Sequence, residues 1–433
     1  MKKVLIITYY WPPSGGAGVQ RWLKFVKYLP NYGWEPVIYT VENGEYPVID
    51  HALVKDVSSD LKVLKTKIWE PYGFYKKITG RKKEDKINSG FLSENKQSKN
   101  TENLSRWIRG NFFIPDARKY WIKPSVKFLK KYLESSPVDL IISSGPPHST
   151  HLIAKEIKRK FAIPWVADFR DPWTNIDFYK ELKLTKWADA KHKRLEKEVL
   201  SQSDLVLTIG DQLQHELVEL GADNVEVIEN GFDPEDFIKA DTTQLDAEFT
   251  LAHIGSFTPS RNHKMLWQAI AEICAENTSF KNDFKLKLIG KVDHSVNQSL
   301  SNFNLDEYVQ NMGYVSHNRV IKEQKKSKVL LLMVNNTPNA KGIITGKVFE
   351  YIASGRPILV IGPEDGDLSN IITKTNSGVV CGYEDVTKLK STILQLYNNE
   401  LVFKPNASAY SRLNLTNNLS ILLENLVKST KAK

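Results

Sequence analysis

Lys3-Val4-Leu5-Ile6-Ile7-Thr8, followed after five bulky residues by Ser14-Gly15-Gly16-Ala17-Gly18, is the stretch that decides the fold. A short apolar run bounded by a glycine-rich turn reads as a strand buried on both faces, the kind found in parallel sheets. Behind the turn, Val19, Trp22, Leu23, Val26 and Leu29 recur at helical spacing, Gly33 closes the helix, and Pro36-Val37-Ile38-Tyr39-Thr40 resumes as a strand. Similar runs recur at Val138–Ser143, Pro164–Phe169, Leu205–Ile209 and Val225–Ile228, most of them separated by helix-length segments. After a polar linker, Asp233 to Glu248, the alternation restarts at Phe249–Ile254, Phe284–Ile289, Val329–Val334, Pro357–Ile361 and Gly378–Cys381. The chain reads as α/β, with two Rossmann-like doubly wound domains over residues 1–235 and 248–405. Residues 406–433 supply a closing helix predicted to pack toward the first domain, and residues 80–105, rich in Lys, Asn, Ser and Glu, read as a mobile basic insertion.

Composition narrows the class. A chain of 433 residues, 41% of them hydrophobic, can bury two or three cores without covalent staples, which excludes disordered, collagen-like and disulfide-scaffold proteins. Cys274 and Cys381, 107 positions apart, form neither a disulfide framework nor a thiolate metal site, which suits a reducing cytoplasm. The longest apolar run, Val329–Val334, is too short to span a bilayer, and Val4–Ile7 is too short for a signal-peptide core. The net charge of +10 divides unevenly: residues 1–200 carry 37 basic against 22 acidic residues, the remainder 23 against 28. A basic first half suits nucleic acid, an anionic membrane surface or a phosphorylated substrate. Among the lysines of residues 180–197, the sequence Leu184, Trp187, Lys191, Leu195, Val199 approximates a stripe, readable as an interfacial helix or as an outer helix packed on the sheet.

Open α/β sheets bind ligands outside the carboxyl ends of their strands, so residues that follow strands are the candidates. Gly15, Gly16 and Gly18 let backbone approach a ligand, and N–H groups at the helix start suit an anion or a sugar oxygen. The five residues before the first glycine disfavour a NAD fingerprint, even with Glu42 cast as the ribose acid. After the 164–169 run, Asp168, Arg170, Asp171 and Trp173 gather charges that need partners or a polar ligand; an internal Asp–Arg pair is the plainer reading. His148, behind another strand, is a candidate acid or base. In the second half, Ser256 and Arg261 lie between a strand and a helix that begins near His263, where a cation and fixed N–H groups could hold a diphosphate. Lys347 falls in a first helical turn, which ordinarily favours an acid, and an anionic ligand resolves that conflict. Glu350, one turn on, could accept hydrogen bonds from two ribose hydroxyls. Asp365-Gly366-Asp367 matches a metal-binding pattern, but its position suits helix capping, so no metal site is expected.

Five motifs appear in order. They are Gly15-Gly16-x-Gly18; Asp168-Phe169-Arg170-Asp171-Pro172-Trp173; Asn230-Gly231-Phe232-Asp233; Gly255-Ser256-Phe257 with Arg261 and His263; and Gly346-Lys347-x-Phe349-Glu350-Tyr351-x-Ala353-Ser354-Gly355-x-Pro357. Over nearly the whole chain this set resembles the retaining family-four glycosyltransferases of bacterial surface-polysaccharide synthesis. The resemblance implies the GT-B architecture, two Rossmann-like domains facing across a cleft. It implies a nucleotide-sugar donor held mainly by the second domain, a glycan or lipid-linked acceptor held mainly by the first, and no metal or other cofactor. By position it assigns Arg261 and Lys347 to the diphosphate and to catalysis, with Asp168 and Asp171 as further catalytic candidates. Gly15, Gly16, Gly18, Ser256, Ile343, Ile344, Thr345 and Glu350 go to the donor, and His148, Arg170 and Trp173 to the acceptor side. Gly342 stands where the family carries the first Glu of a Glu-x7-Glu motif, and backbone N–H groups of Ile343 to Thr345 are expected to replace that side chain. Ser256 stands where Arg is commoner. The expected setting is the cytoplasm, with peripheral contact to the inner face of an anionic membrane and no nucleic-acid partner. The alternatives are a nucleotide-sugar epimerase of the same architecture and, further off, a nucleic-acid-binding protein.

Overall fold

A computed structural model describes residues 1–70, 99–238 and 243–431, less the side chains of residue 17 and residues 99–105. The chain separates into two compact units, the first made of Met1–Glu229 and the chain from Leu415 on, the second of Asn230–Asn414.

In the first unit seven strands, β1 (Lys2–Ile7), β2 (Trp34–Val41), β3 (Lys62–Thr66), β4 (Leu140–Gly145), β5 (Trp165–Phe169), β6 (Leu205–Thr208) and β7 (Val225–Val227), form a sheet in the order β3-β2-β1-β4-β5-β6-β7. All neighbours are parallel. Leu5 and Ile7 join one apolar layer with Tyr39, Ile141 and Trp165, while Val4 and Ile6 join the opposite layer with Trp22, Ile38 and Val166. From Val4 on neither face meets water, which is why β1 is apolar from Val4 to Ile7; each fully buried branched side chain contributes roughly 1.5–3 kcal/mol. The helix Ala17–Tyr28 presses Val19, Trp22, Leu23 and Val26 into the second layer and runs into a tight turn that Gly33 ends with φ 81°. The last helix, Arg412–Lys431, lays Leu415, Leu419, Leu423 and Val427 into that same layer at four-residue intervals.

In the second unit β8 (Phe249–Ile254), β9 (Phe284–Ile289), β10 (Val309–Gly313), β11 (Val329–Met333), β12 (Ile358–Ile361) and β13 (Gly378–Cys381) form a parallel sheet in the order β10-β9-β8-β11-β12-β13. Strand order reverses between β1 and β4 in one sheet and between β8 and β11 in the other. At such points the crossovers leave toward opposite faces and open a crevice at the carboxyl ends.

Some sequence expectations need correction. β3 and β10 had no apolar run to announce them, because exposed Lys62, Lys65, Gln310 and Asn311 interrupt these edge strands, whereas the opposite edges, β7 and β13, keep a readable run. Residues 80–98 of the expected insertion lie outside the described residues, and 99–105 open a helix, Lys99–Phe112. The linker contains a short helix, Pro234–Ile238. The stripe expected around Trp187 is rotated. In the helix Lys186–Gln202 the buried residues are Ala188, His192, Glu196, Val199 and Leu200, while Trp187 is 64% exposed beneath Lys191. Internal partners explain the rotation: Trp173 donates to His192 and Thr174 to Glu196, drawing polar side chains inward.

Candidate functional site

The crevice of the second sheet is stitched together from its two switch-point strands. β8 ends at Ile254, and Gly255, with φ 111°, turns the chain away from the sheet. Six residues later Arg261 donates Nε to Asn335 Oδ1, behind β11, at 2.9 Å, and Nη1 to Ser256 O at 3.3 Å. His263 Nε2 lies 2.7 Å from Val334 O, a second tie between the same strand ends. The β11–β12 connection brings in Lys347 as the first residue of the helix Lys347–Ala353. Its side chain lies over Gly255 so closely that any Cβ there would collide with Nζ and Cε. Burial, reinforced by the Arg261 charge and opposed by Glu350, pushes the Lys347 amine down to about 7. Two cations held together out of water are unfavourable until an anion joins them.

Around this pair stand residues that sequence reasoning missed. His253, inside β8, is 1% exposed, with Nδ1 at 3.3 Å from Leu331 O and Nε2 without a partner. Burial first, then the Lys347 and Arg261 charges, hold it well below the usual histidine range, so the ring is neutral. Tyr351 accepts a hydrogen bond from Ile254 N at 3.0 Å and so pins the Lys347–Ala353 helix to the end of β8. A histidine inside an apolar run reads as core, so nothing local marks His253; Tyr351 stands in the fifth motif, but its tie to β8 does not show in the sequence. Glu350 Oε2 accepts from Gln324 Nε2 at 3.1 Å. In the Gly342–Thr345 loop the expectation needs trimming. The Ile343 N–H is committed to Ala340 O at 3.1 Å, so of the three backbone donors only Ile344 and Thr345 lack such a bond among the described residues. Thr345 Oγ1 is also buried without a partner. Asp365 pairs with Lys341 at 2.6 Å and Asp367 opens the helix Asp367–Lys374. Among the described residues no group of three or more His, Cys, Asp and Glu could hold a metal ion.

The first unit gathers its motif residues at the β1/β4 switch point. Gly15 donates to Val48 O at 2.9 Å, and Gly16 has φ 92° with open space where a side chain would be. Gly18 faces Arg170, whose Nη1 would stand 2.7 Å from a Cβ at that position. Arg170 donates Nε to Gly145 O at 3.1 Å and Nη2 to Pro146 O, so it braces the loop after β4 against the glycine turn after β1. Asp168 does not suit the catalytic part expected of it. It is fully buried and accepts from Arg21 Nη2 at 2.9 Å, Trp22 Nε1 at 2.7 Å and Ser144 Oγ at 2.8 Å. Burial alone would raise its pKa, but Arg21 overrides that and holds the carboxyl below the ordinary aspartate range. Arg21 in turn donates Nη1 to Ile228 O and Glu229 O at 2.8 and 3.1 Å, fixing the end of the unit. The Asp–Arg pair is real, but its arginine is Arg21 and not the neighbouring Arg170.

Asp171 is different: it keeps solvent access, although desolvation by the surrounding protein pushes its carboxyl up. Among the described residues no hydrogen bond to its side chain is seen. His148 stacks on Trp173 with ring centroids 4.4 Å apart, and burial pushes its pKa well below the usual range. Trp173 is itself buried and donates its N–H to His192 at 3.1 Å, so it ties the loop after β5 to the helix Lys186–Gln202.

Comparison with known proteins agrees with this architecture. Residues 248–399 match the family profile described as "Glycosyl transferases group 1", and residues 91–236 match "Glycosyltransferase Family 4". An uncharacterised glycosyltransferase of Methanocaldococcus jannaschii is 24% identical over 294 residues, covering 66% of this chain and 74% of its own. Among solved structures, a TarM variant from S. aureus in complex with fondaparinux, α-GlcNAc-glycerol and UDP is similar with a TM-score of 0.59 and 13% identity, over 99% of both chains. A putative UDP-N-acetylglucosamine 2-epimerase from Listeria monocytogenes is similar with a TM-score of 0.56 and 12% identity, over 99% of this chain and 97% of its own. At such identities these likenesses establish a shared fold.

Proposed function

We propose a reaction for a chain that belongs, by both of its domains, to the glycosyltransferases: transfer of a sugar from a nucleoside-diphosphate sugar to an acceptor hydroxyl, with retained anomeric configuration, in cell-surface polysaccharide or glycolipid synthesis. The observation that carries it is the pair Arg261 and Lys347 at the β8/β11 switch point, with Glu350 one turn beyond. As the glycosidic bond breaks, negative charge grows on the departing diphosphate. Two fixed cations stabilise that charge more in the transition state than in the ground state, and water-poor surroundings strengthen the effect. Glu350 holds the ribose, and the N–H groups of Ile344 and Thr345 stand in for the carboxylate missing at Gly342. On the acceptor side Asp171 is the proton acceptor, since Asp168 is already engaged. Lys347→Ala or Arg261→Ala is expected to lower turnover by ~10²-fold or more, the scale of losing one charge-stabilising donor. Unchanged kinetics in both variants would remove the mechanism.

The cations take the place of a divalent metal in this scheme, so activity should persist in excess EDTA; a full, metal-reversible loss would overturn that part. An epimerase has the same fold, yet both domain matches are to transferases. Product analysis with and without acceptor separates the two.

The acceptor is assigned to a membrane surface on the strength of one patch of the first unit. Trp69 and Phe112 are 59% and 60% exposed, Tyr120 packs against Trp69 at 4.8 Å, and Lys119 lies over the Tyr120 ring. Exposed aromatics interleaved with lysines suit the headgroup level of an anionic bilayer. No helix among the described residues is long and apolar enough to cross a membrane. Liposome sedimentation should show binding that depends on anionic lipid and weakens in Phe112→Ser; equal recovery with neutral vesicles would argue for a water-borne acceptor.

A further inference from the structure

Glu350 is not alone at its post. Gln324, on the helix His317–Lys326, is 1% exposed and donates Nε2 to Glu350 Oε2 at 3.1 Å. An amide can turn only its NH2 toward a carboxylate, since its oxygen would face another acceptor. That bond therefore fixes where Gln324 Oε1 lies, and Oε1 is buried with no hydrogen-bond partner. The adjacent residue shows the contrast. Glu323 is also buried, yet its Oε2 accepts from Lys287 Nζ at 3.2 Å and its Oε1 lies 4.0 Å from Arg319 Nε. A buried carbonyl left unpaired costs stability that an apolar side chain of the same size would not, so its retention beside Glu350 points to a donor that arrives with the ligand.

We propose that Gln324 is a positioning and specificity residue of the donor site: its NH2 holds Glu350 in place, and its carbonyl oxygen accepts a hydrogen bond from the ribose of the nucleoside diphosphate. The inference rests on the reading in which Glu350 meets the ribose. A ribose presents two neighbouring hydroxyl donors. Glu350 Oε1, which has no partner among the described residues, takes one, and Gln324 Oε1 takes the other. The site thereby distinguishes a ribonucleoside diphosphate from its 2′-deoxy counterpart, because the deoxy ligand leaves a buried acceptor unpaired.

The test measures dissociation constants by isothermal titration calorimetry for a ribonucleoside diphosphate and its 2′-deoxy form. The base is whichever of UDP, GDP, ADP or CDP raises the melting temperature of the wild-type protein. Wild type is expected to prefer the ribonucleotide by about tenfold or more. Gln324→Leu, similar in volume, should cut the preference to about threefold or less, chiefly by weakening the ribonucleotide. Gln324→Glu, which sets two carboxylates against each other, should weaken the ribonucleotide further. A melting curve for each variant checks that it is folded. A preference left unmoved in Gln324→Leu, or equal weakening of both ligands, overturns the inference and leaves Gln324 a packing residue. Failure of every nucleoside diphosphate to bind wild type overturns the donor-site reading and this inference with it.

Discussion

Raising the pH from 7 to 9 should cost the donor its affinity through a single amine. Burial, with Arg261 beside it, pushes Lys347 down to about 7. The ligand-free side chain is then about half protonated at pH 7 and about one-tenth protonated at pH 8. A pyrophosphate brought against that amine favours its charged form, so binding draws a proton from solvent: about half a proton at pH 7 and about nine-tenths at pH 8. The protonated form is the one that binds, so affinity falls as pH rises, by nearly tenfold per pH unit above about 8. His253 adds nothing, being neutral throughout this range. Calorimetric titrations in pairs of buffers with different ionisation enthalpies read the uptake directly. The ligand should be a nucleotide sugar, whose phosphates are both esterified and carry no titrating proton near neutrality. No proton uptake at pH 8, or an affinity flat from pH 7 to 9, would refute the argument that Lys347 meets the diphosphate.

Gly255→Ala is expected to weaken donor binding by about 10–10²-fold, because its Cβ collides with the Lys347 side chain. Gly313→Ala, at φ 61° with open space around it, should cost stability alone, and calorimetry with melting curves on both variants checks the contrast. Arg21→Ala leaves a fully buried Asp168 charge unpaired and should cost about 3–5 kcal/mol in denaturant unfolding, while Arg21→Met with Asp168→Leu should cost less. Because Asp168 has a depressed pKa, the stability it contributes is present above the unfolded-state aspartate pKa and is lost as pH falls through the lower folded value. Lys347→Met removes a buried cation and should raise the ligand-free melting temperature by roughly 2–4 °C while abolishing the shift produced by a nucleotide sugar.

Most strands were legible because parallel strands covered on two sides are largely apolar, and β8, β9 and β13 begin and end where their runs do, even with Lys285 and Lys287 inside β9. The edges β3 and β10 were not, since exposed Lys62, Lys65, Gln310 and Asn311 break up the few apolar residues they have. Motif residues such as Arg261, Lys347 and Glu350 were visible because their chemistry conflicts with their immediate neighbours. Arg21, His253 and Gln324, and the part played by Tyr351, were hidden for the opposite reason. Each fits its own helix or strand, and its partner lies far along the chain: 147 positions separate Arg21 from Asp168, and 26 separate Gln324 from Glu350. Local pattern cannot report a hydrogen bond that only the assembled sheet creates.

The helix Arg412–Lys431 sets a timetable for the growing polypeptide. Leu415, Leu419, Leu423 and Val427 close a layer founded on Val4 and Ile6, so one wall of the first domain is translated only after the whole of the second. A nascent chain that has emerged only as far as Glu229 carries an unroofed apolar trough, and it must wait, soluble or chaperoned, while the whole intervening domain is made. A stop codon that removes the helix Arg412–Lys431 should therefore damage the first domain while leaving the second intact.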